Sequence, residues 1–284
     1  RIKHQEGTVK CTHIAVPQAQ ETYAHIGSNI WWVFGYEMGM NEWGVAIGNE
    51  AIFTRVPYDK ENGLVGMDFL RLALERSKTA WEALYTITQL LEEYGQSGNC
   101  GFTHLFYYHN SFLLADPHEA WVLETAGRQW AAEKVKNIRS ISNAPTIGKT
   151  WDLSSDDLVP FAKDRGWCKS KNDFHFAKCY SDFTYTTLSG ARDRQACTTR
   201  LMESVQGYIN ARTAMDILRS HGGPDSASTR VDAALLGSTV CMHAGAGPVR
   251  GSQSVGSLVA QLSPDSSTAW VTATSAPCTS IFKP

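Results

Sequence analysis

Apolar and polar residues follow one another through the first part of the chain in the pattern of β-strands joined by turns. Three apolar segments precede residue 49, namely "YAHIG" at 23–27, the aromatic "IWWVFGY" at 30–36 and "GVAIG" at 44–48. Between the last two, Asn41 and Glu42 fall in a polar stretch, and short polar side chains favour turns. We therefore predict two strands, a turn at Asn41 and Glu42, and a third strand.

The spacing of the apolar residues changes to that of helices after residue 65. The apolar residues of "GMDFLRLALERS" at 66–77 recur so that they share one helical face. A second helix should begin at Thr79, because a hydroxyl residue followed three positions later by a glutamate, here Glu82, forms a capping box. Gly95 is a typical end for that helix. Each helix has one apolar side, so both are predicted to lie on a sheet.

Strand and helix patterns alternate again along the rest of the chain. A second strand block covers 103–143, an irregular polar and aromatic region covers 149–190, and two helices are expected at about 192–205 and from Asn210 to His221. Strand patterns return at 238–244, 254–262 and 267–274. The order of strands, helices, strands, helices and strands predicts two sheets covered by helices, an α+β fold in a single domain spanning residues 1–284.

Composition excludes several classes of function. The 26 basic and 28 acidic residues give a formal net charge of −2, so no electrostatic feature indicates nucleic acid or a membrane surface as partner. No apolar run approaches the ~20 residues that membrane insertion as a helix requires. The opening "RIKHQEGTVK" has neither an initiator methionine nor the apolar run of a signal peptide, so we expect a cut, processed or incompletely recorded start.

The chain has seven cysteines, an odd number at wide spacing and without a CxxC pair. This pattern argues against a zinc ribbon, and a domain of this size does not need a disulfide scaffold. Reduced thiols in a cytoplasmic protein are the expectation. Cys241 and His243 share one face of the predicted strand at 238–244, where packing is favoured over metal binding. We therefore predict no metal ion and no cofactor.

Motifs for common catalytic chemistry are missing from the sequence: it contains no GxSxG elbow, no papain or caspase signature and no GxxxxGK[ST] loop. Asparagines at the ends of predicted strands are more suggestive, because a neutral carboxamide can stabilise an oxyanion. For Asn41 a turn is favoured. For Asn49 and Asn143, turn and site remain equal alternatives. An arginine of "GARDR" at 190–194 either binds a carboxylate or simply begins a helix.

Five longer segments together resemble the secernins: "WWVFGYEMGMNEWGVAIGNEA", "LVGMDFLRLALERSKTAWEAL", "HNSFLLADPHEAWVLETAGRQWAAEKV", "RSISNAPTIG" and "CTSIFKP". Secernins belong to the cysteine-type dipeptidases of the N-terminal-nucleophile (Ntn) hydrolases, which are related to bile-salt hydrolases and penicillin V acylases. The resemblance covers nearly the whole chain in the expected order. It implies a four-layer αββα sandwich and a hydrolase that acts on small peptides.

The resemblance also implies a set of site residues. Asn143 corresponds to an asparagine that stabilises the oxyanion, and Asn49 corresponds to a second site asparagine. The active-site arginine corresponds to Arg192 or Arg194, and Arg192 is the preferred assignment. The substrate pocket is expected to include Trp32, Phe34 and Glu37.

In this family the nucleophile is a cysteine at the amino terminus whose own α-amine serves as base. The strands that carry it do not match any part of this chain. Cys11 is not a substitute, because ten residues precede it and the expected turn does not follow. We therefore expect an Ntn fold that is incomplete at its start, and a chain that is inactive as it stands.

Two other functions stay open. Secernins are associated with regulated exocytosis, so the domain could act as a non-catalytic regulator through protein contacts. Hydrolysis of other amides, such as bile-salt conjugates or penicillins, is a weaker alternative. The oligomeric state is also open and includes a homo-oligomer.

Overall fold

An antiparallel sheet of seven strands forms the centre of the protein in the computed structural model, which describes residues 1–222, 239–244, 252–272 and 274–284. In chain order the strands are β1 (Ile2–Lys3), β2 (Thr8–Lys10), β3 (Ala15–Pro17), β4 (Glu21–Thr22), β5 (His25–Ser28), β6 (Met38–Asn41), β7 (Ala46–Ile52), β8 (His109–Ala115), β9 (Ala120–Ala126), β10 (Gln129–Lys134), β11 (Leu153–Ser154), β12 (Ser257–Gln261) and β13 (Thr268–Thr272). The helices are α1 (Gly66–Arg76), α2 (Ala80–Tyr94), α3 (Leu158–Asp164), α4 (Phe176–Tyr180), α5 (Phe183–Leu188), α6 (Ala191–Ser204) and α7 (Ala211–Leu218), with a 3₁₀ turn at Pro277–Thr279.

The large sheet has the strand order β11-β10-β9-β8-β7-β6-β5, and every neighbouring pair is antiparallel. Three pairs, β1–β4, β2–β3 and β12–β13, form separate two-stranded sheets. Strands β7 and β8 are neighbours in the sheet, although more than fifty residues, including α1 and α2, separate them in the chain. Consecutive strands are commonly neighbours. In their register Asn49 lies opposite Phe112, and Glu50 lies opposite Ser111.

Helices α1 and α2 pack on one face of this sheet, as their apolar stripes predict. Leu70, Leu74 and Ile87 are fully buried there, and burying each such side chain stabilises the fold by about 1.5–3 kcal/mol. The Thr79 hydroxyl accepts a hydrogen bond from the Glu82 backbone N–H at 3.1 Å, and Gly95 ends α2 with φ of 72°. Both helix predictions are confirmed.

A second core covers the opposite face of the sheet. It joins Val122 of β9 and Ala131 of β10 to a cluster of aromatic residues, among them Phe174, Phe176 and Tyr180. These aromatic residues come from the region 149–190, which the sequence suggested to be irregular. That prediction was only partly right, because this region contains α3, α4 and α5 and supplies buried side chains.

Three predicted strands are not strands in the structure. Residues 30–36 form a loop, whose shape is set by the Asn29 side chain donating to the carbonyls of Val33 and Gly35 at 3.0 and 2.7 Å. Of the strand block predicted at 103–143, residues 103–108 form no strand, and its end at 139–143 has a single isolated bridge, Ser142 to Ala144. Residues 239–244 are also irregular, and residue 238 lies outside the described residues.

The turn prediction at Asn41 is confirmed. Its side-chain oxygen accepts from the backbone N–H groups of Trp43 and Val45, at 3.0 and 3.1 Å. Its amide nitrogen donates to the carbonyls of Leu74 and Ser77 at the end of α1, at 2.9 and 2.7 Å. Asn41 therefore shapes the turn and also fastens helix to sheet.

The mixed α/β architecture is confirmed. Of the two predicted sheets, one is large, while β12 and β13 form only a two-stranded sheet whose strand β12 packs beside β6. The four-layer arrangement stays a prediction. Over the described residues, no helix has both the length and the apolar character to cross a membrane.

Candidate functional site

Asn143 and Arg194 are held against each other beside the large sheet. The Arg194 Nη2 group donates to the Asn143 side-chain oxygen at 2.7 Å, and its Nη1 group donates to the Ser189 carbonyl at 2.7 Å. The Asn143 amide nitrogen donates to the Ala51 carbonyl at the end of β7, at 2.9 Å. Asn143 therefore has a fixed orientation, with its oxygen engaged by a guanidinium group and its nitrogen directed at the strand.

The structure brings Arg194, and not Arg192, to this position. Arg194 is buried at 8% exposure in the first turns of α6, whereas Arg192 is exposed on the same helix. Helix α6 begins after Gly190, which has the left-handed φ of 60° that glycine tolerates without strain. Burial lowers the pKa of Arg194, and the nearby Glu50 opposes that shift. Arg194 is thus a buried cation that faces a carboxyl group.

Glu50 is a site residue that sequence reasoning missed. Its carboxyl oxygen lies 3.5 Å from the Asn143 amide nitrogen, a long contact that leaves part of that donor available. Burial raises the pKa of Glu50 to about 7; Arg194 acts in the opposite direction and Glu37 adds to the increase. A carboxyl group with such a pKa changes its protonation near neutral pH, as catalytic acids and bases often do.

Glu124 fixes the loop that carries Asn143. This carboxyl group lies on β9 with 0% exposure and accepts from the backbone N–H groups of Thr146 and Ile147, at 2.8 and 2.9 Å. It also accepts from the Thr146 hydroxyl at 2.5 Å. Burial raises its pKa, while these donors lower it. A glutamate inside the apolar strand "AWVLETA" was the signal that could have identified this anchor.

A cavity of about 450 Å³ opens next to this cluster. Glu37, Gly48 and Glu50 line it from the sheet, and Thr198 and Met202 line it from α6. The remaining lining comes from Met38, Asn49, Leu113, Val255 and Gly256, and from the segment Arg139, Ser140 and Ile141. The wall is therefore mostly apolar, with two carboxyl groups and one guanidinium group, a composition typical of small-molecule sites.

Asn49 takes part in a different network from Asn143. Its side chain donates to the Asn110 side-chain oxygen at 3.1 Å and to the Ser111 carbonyl at 3.3 Å. Asn110 in turn donates to Gln96 at 2.9 Å. Successive side chains of a strand point to opposite faces, so Asn49 and Glu50 diverge. Asn49 contributes to the cavity wall, but the structure gives it no side-chain contact with Asn143.

Of the three expected pocket residues, only Glu37 lines this cavity, and burial raises its pKa. Trp32 donates from its indole nitrogen to the Cys100 carbonyl at 3.1 Å and packs with Trp31 and Phe102. Phe34 is half-buried against the helix-side core, with the Arg71 guanidinium carbon 3.9 Å from its ring centroid. These contacts hold both side chains elsewhere, and neither Trp32 nor Phe34 lines the cavity.

All seven cysteines lie in the described part of the chain, and none of them lines the cavity. Cys11 is buried in the helix-side core, and burial raises its pKa to about 12. Cys100 is likewise buried, with a pKa raised to about 11. Thiols of this kind are poor nucleophiles at neutral pH, because the thiolate is the reactive form.

Gly48 allows a direct test that the cavity is a binding site. A Cβ atom at this position would meet nothing within 4 Å, so a larger side chain would extend into the cavity without disturbing the strand. We expect Gly48→Leu to lower kcat/KM for a substrate bound there by at least about tenfold, with an unchanged melting temperature. Gly7→Leu is the matched control, since a Cβ there also meets nothing within 4 Å and Gly7 is exposed. Equal kcat/KM for the Gly48→Leu variant and the wild type would exclude this cavity as the substrate site.

Together these groups define a class of site. It combines a neutral carboxamide donor in a fixed orientation, a buried guanidinium, a carboxyl group poised near neutral pH and an adjoining cavity. Such an arrangement is suited to stabilising negative charge on a carbonyl oxygen in an acyl-transfer reaction.

The chain matches a known peptidase family over most of its length. The model of peptidase family C69 matches residues 15–216, and the chain belongs to this family. Among solved structures, two variants of the conjugated bile acid hydrolase from Clostridium perfringens are similar, at 15% and 16% sequence identity and a TM-score of 0.39. Each match covers 66% of this chain and 58% of the hydrolase chain, so this chain spans well under two thirds of the hydrolase length.

Proposed function

We propose that this protein is a secernin-like cysteine dipeptidase in which Asn143, positioned by Arg194, stabilises the oxyanion of the reaction. One observation carries the proposal: the Asn143 carboxamide is fixed by the Arg194 guanidinium at 2.7 Å and by the Ala51 carbonyl at 2.9 Å, and Glu50, 3.5 Å from its amide nitrogen, lines a cavity of about 450 Å³. The match to peptidase family C69 over residues 15–216 supports amide hydrolysis as the reaction class.

The proposed reaction begins when a thiolate attacks the carbonyl carbon of the peptide bond. A carbon–sulfur bond forms, and the electron pair of the carbonyl π bond moves to the oxygen, where the Asn143 N–H group can donate to it. The carbon–nitrogen bond then breaks as the leaving amine takes a proton. Water hydrolyses the resulting thioester and frees the thiol. An α-amine next to the thiol is the proposed base, because its pKa near 8 suits proton transfer at neutral pH.

The thiol of this proposal is none of the seven cysteines of the chain. Their absence from the cavity wall and the raised pKa values of Cys11 and Cys100 support a nucleophile from outside these 284 residues. The amino-terminal cysteine expected from the secernin resemblance fills this role.

A small peptide is the proposed substrate. The carboxyl groups of Glu37 and Glu50 lie in the cavity wall, where they can pair with the ammonium group of a peptide amino terminus. Arg139 lines the same cavity, where its guanidinium donates to Glu133, to the Ser140 carbonyl and to the Thr146 hydroxyl. All seven cysteines are free thiols in the structure, which supports a cytoplasmic location.

An active-site label tests this proposal on the mature protein isolated from its natural source. We expect hydrolysis of dipeptides and inactivation by a dipeptide chloromethyl ketone that modifies one cysteine. Peptide mapping should place the label on a cysteine other than the seven named above, and an excess of uncleaved dipeptide should protect it. A label on Cys11, or on any of the other six, would overturn the proposed mechanism. Failure to hydrolyse any of a broad dipeptide panel would favour the non-catalytic regulator instead.

A further inference from the structure

Four side chains with metal-binding chemistry meet in the last part of the chain, outside residues 15–216 that the family model matches. They are His221, Cys241, His243 and Cys278, here called the Cys2His2 cluster. One ligand atom from each residue, an imidazole nitrogen or a thiol sulfur, lies within 4.8 Å of the other three. Nothing in the proposed dipeptidase chemistry uses these residues.

The distances in the cluster fit tetrahedral coordination. His243 Nε2 lies 3.0 Å from His221 Nε2, and 3.4 Å from the sulfur atoms of both Cys241 and Cys278. Bonds of about 2.3 Å to sulfur and about 2.0 Å to nitrogen at tetrahedral angles require ligand atoms about 3.3–3.8 Å apart. Small movements of these side chains would thus place all four around one ion.

We propose that the Cys2His2 cluster binds a structural zinc ion. Two thiolates and two neutral imidazoles form a ligand set that zinc prefers, and the two thiolate charges balance the charge of the ion. Four protein ligands leave no open position, which is the property of a structural rather than a catalytic site. This inference is independent of the proposed dipeptidase function.

The backbone around the cluster brings three distant segments together. The Cys241 N–H group donates to the Ser220 carbonyl at 3.0 Å. This bond joins the segment that carries Cys241 and His243 to the end of α7, next to His221. Arg219 donates to the carbonyls of Pro277 and Ser280 at 3.1 and 2.9 Å. These bonds join the segment that carries Cys278 to the end of α7. Hydrogen bonds therefore already hold the three ligand-bearing segments together, and a bound ion would link the same segments through coordination bonds.

The described residues after Ser204 provide little apolar core that could replace such a link. Helix α7 has no buried residue. Among the described residues after Ser204, the buried apolar side chains are Cys241, Val259, Pro277 and Phe282. Regions with so little buried apolar surface commonly depend on metals or disulfides for stability. A structural zinc ion would therefore stabilise the described segments that carry the four ligands.

The sequence pattern did not reveal this site. The sequence favoured packing for Cys241 and His243 because the alternation of a strand places both side chains on one face, which suits packing as well as metal binding. The other two ligands are remote along the chain, with His221 22 residues and Cys278 35 residues from His243. Folding brings them together.

Metal analysis of the protein purified without added zinc or chelator tests the proposal. We expect about one zinc ion per chain by mass spectrometry of the metal content, and a loss to about zero in Cys278→Ser and in His221→Ala. Cys168→Ser, which changes a buried cysteine elsewhere, should keep the ion. Cobalt added to the metal-free protein should give thiolate-to-cobalt charge-transfer absorption and the intense visible bands of tetrahedral coordination.

A second measurement keeps the test valid if a variant fails to fold. Removal of metal from the wild-type protein by a chelator should expose the chain after Ser204 to limited proteolysis, and added zinc should reverse this. Three results would each overturn the proposal. They are metal-free protein with an unchanged cleavage pattern, a Cys241–Cys278 disulfide found by mapping under non-reducing conditions, or zinc retained by both cluster variants.

Discussion

In the protein that carries the proposed amino-terminal cysteine, replacing Arg194 by alanine should lower kcat for dipeptide hydrolysis by about 10²–10³-fold, the loss found when an oxyanion-stabilising donor is removed. Arg194 is a positioning residue in this scheme, because it acts through Asn143, whose oxygen it holds at 2.7 Å. Without the guanidinium group the carboxamide can rotate, and its N–H donor no longer has a fixed direction. KM should change little, because Arg194 does not line the cavity.

The matched control for this prediction is Arg192→Ala. Arg192 lies on the same helix two residues earlier, but it is exposed, so its removal should leave kcat and KM unchanged. Arg194→Lys provides a second comparison, since lysine keeps the charge but cannot donate to Asn143 and Ser189 in the same fork. An Arg194→Ala enzyme with wild-type kcat would rule out the proposed role of the Asn143–Arg194 pair.

Stability must be measured beside activity for Arg194→Ala. The change leaves the Asn143 oxygen and the Ser189 carbonyl without a donor and removes the cation that faces Glu50. Leaving buried acceptors without their donor in this way costs about 1–3 kcal/mol of folding free energy each. Urea unfolding gives this value, and kcat should be measured where the variant remains folded, so that loss of catalysis is distinguished from loss of structure.

The parts of the fold that the sequence predicted correctly are those with local signals. Helix α2 shows this well: the capping hydroxyl of Thr79 and the glycine at 95 define its ends without reference to the rest of the chain. The aromatic segment at 30–36 shows the opposite. Its residues favour strands, but Gly35 lies against the backbone of α1, where a Cβ would fall 2.0 Å from Met67 atoms. That tertiary contact holds the segment as a loop, and no local pattern reports it.

The candidate site divides in the same way. Asn143 was expected from the resemblance of its segment to a family motif, but the arginine that contacts it was left open, because Arg192 and Arg194 are equivalent in composition and spacing. Only the position of α6 relative to the sheet decides which of them is buried. Glu50 and Glu124 were missed because each is a single charged residue next to apolar strand positions. Their importance depends on partners that lie far away in the chain, at Arg194 and Thr146.

The Glu50 carboxyl group should make folding stability depend on pH. Its pKa in the folded protein is about 7, raised first by burial, against 4.5 for an ordinary glutamate. A carboxyl group with a raised pKa binds its proton more tightly in the folded state. Its contribution to stability is therefore complete below about pH 4.5 and is lost as the pH rises through 7. The full shift corresponds to about 3 kcal/mol.

Glu50→Gln isolates this contribution, because glutamine imitates the protonated carboxyl group and does not titrate. We expect the unfolding free energy of the variant, relative to wild type, to increase by about 2–3 kcal/mol between about pH 5 and about pH 8. The absolute offset also contains the cost of leaving Arg194 without a facing carboxylate, so the change with pH is the informative quantity. Glu61→Gln, which removes one exposed carboxyl group, should follow the wild-type curve. Parallel curves for Glu50→Gln and wild type would mean that Glu50 is ionised throughout this range, and a role as a proton-exchanging group at neutral pH would then be excluded.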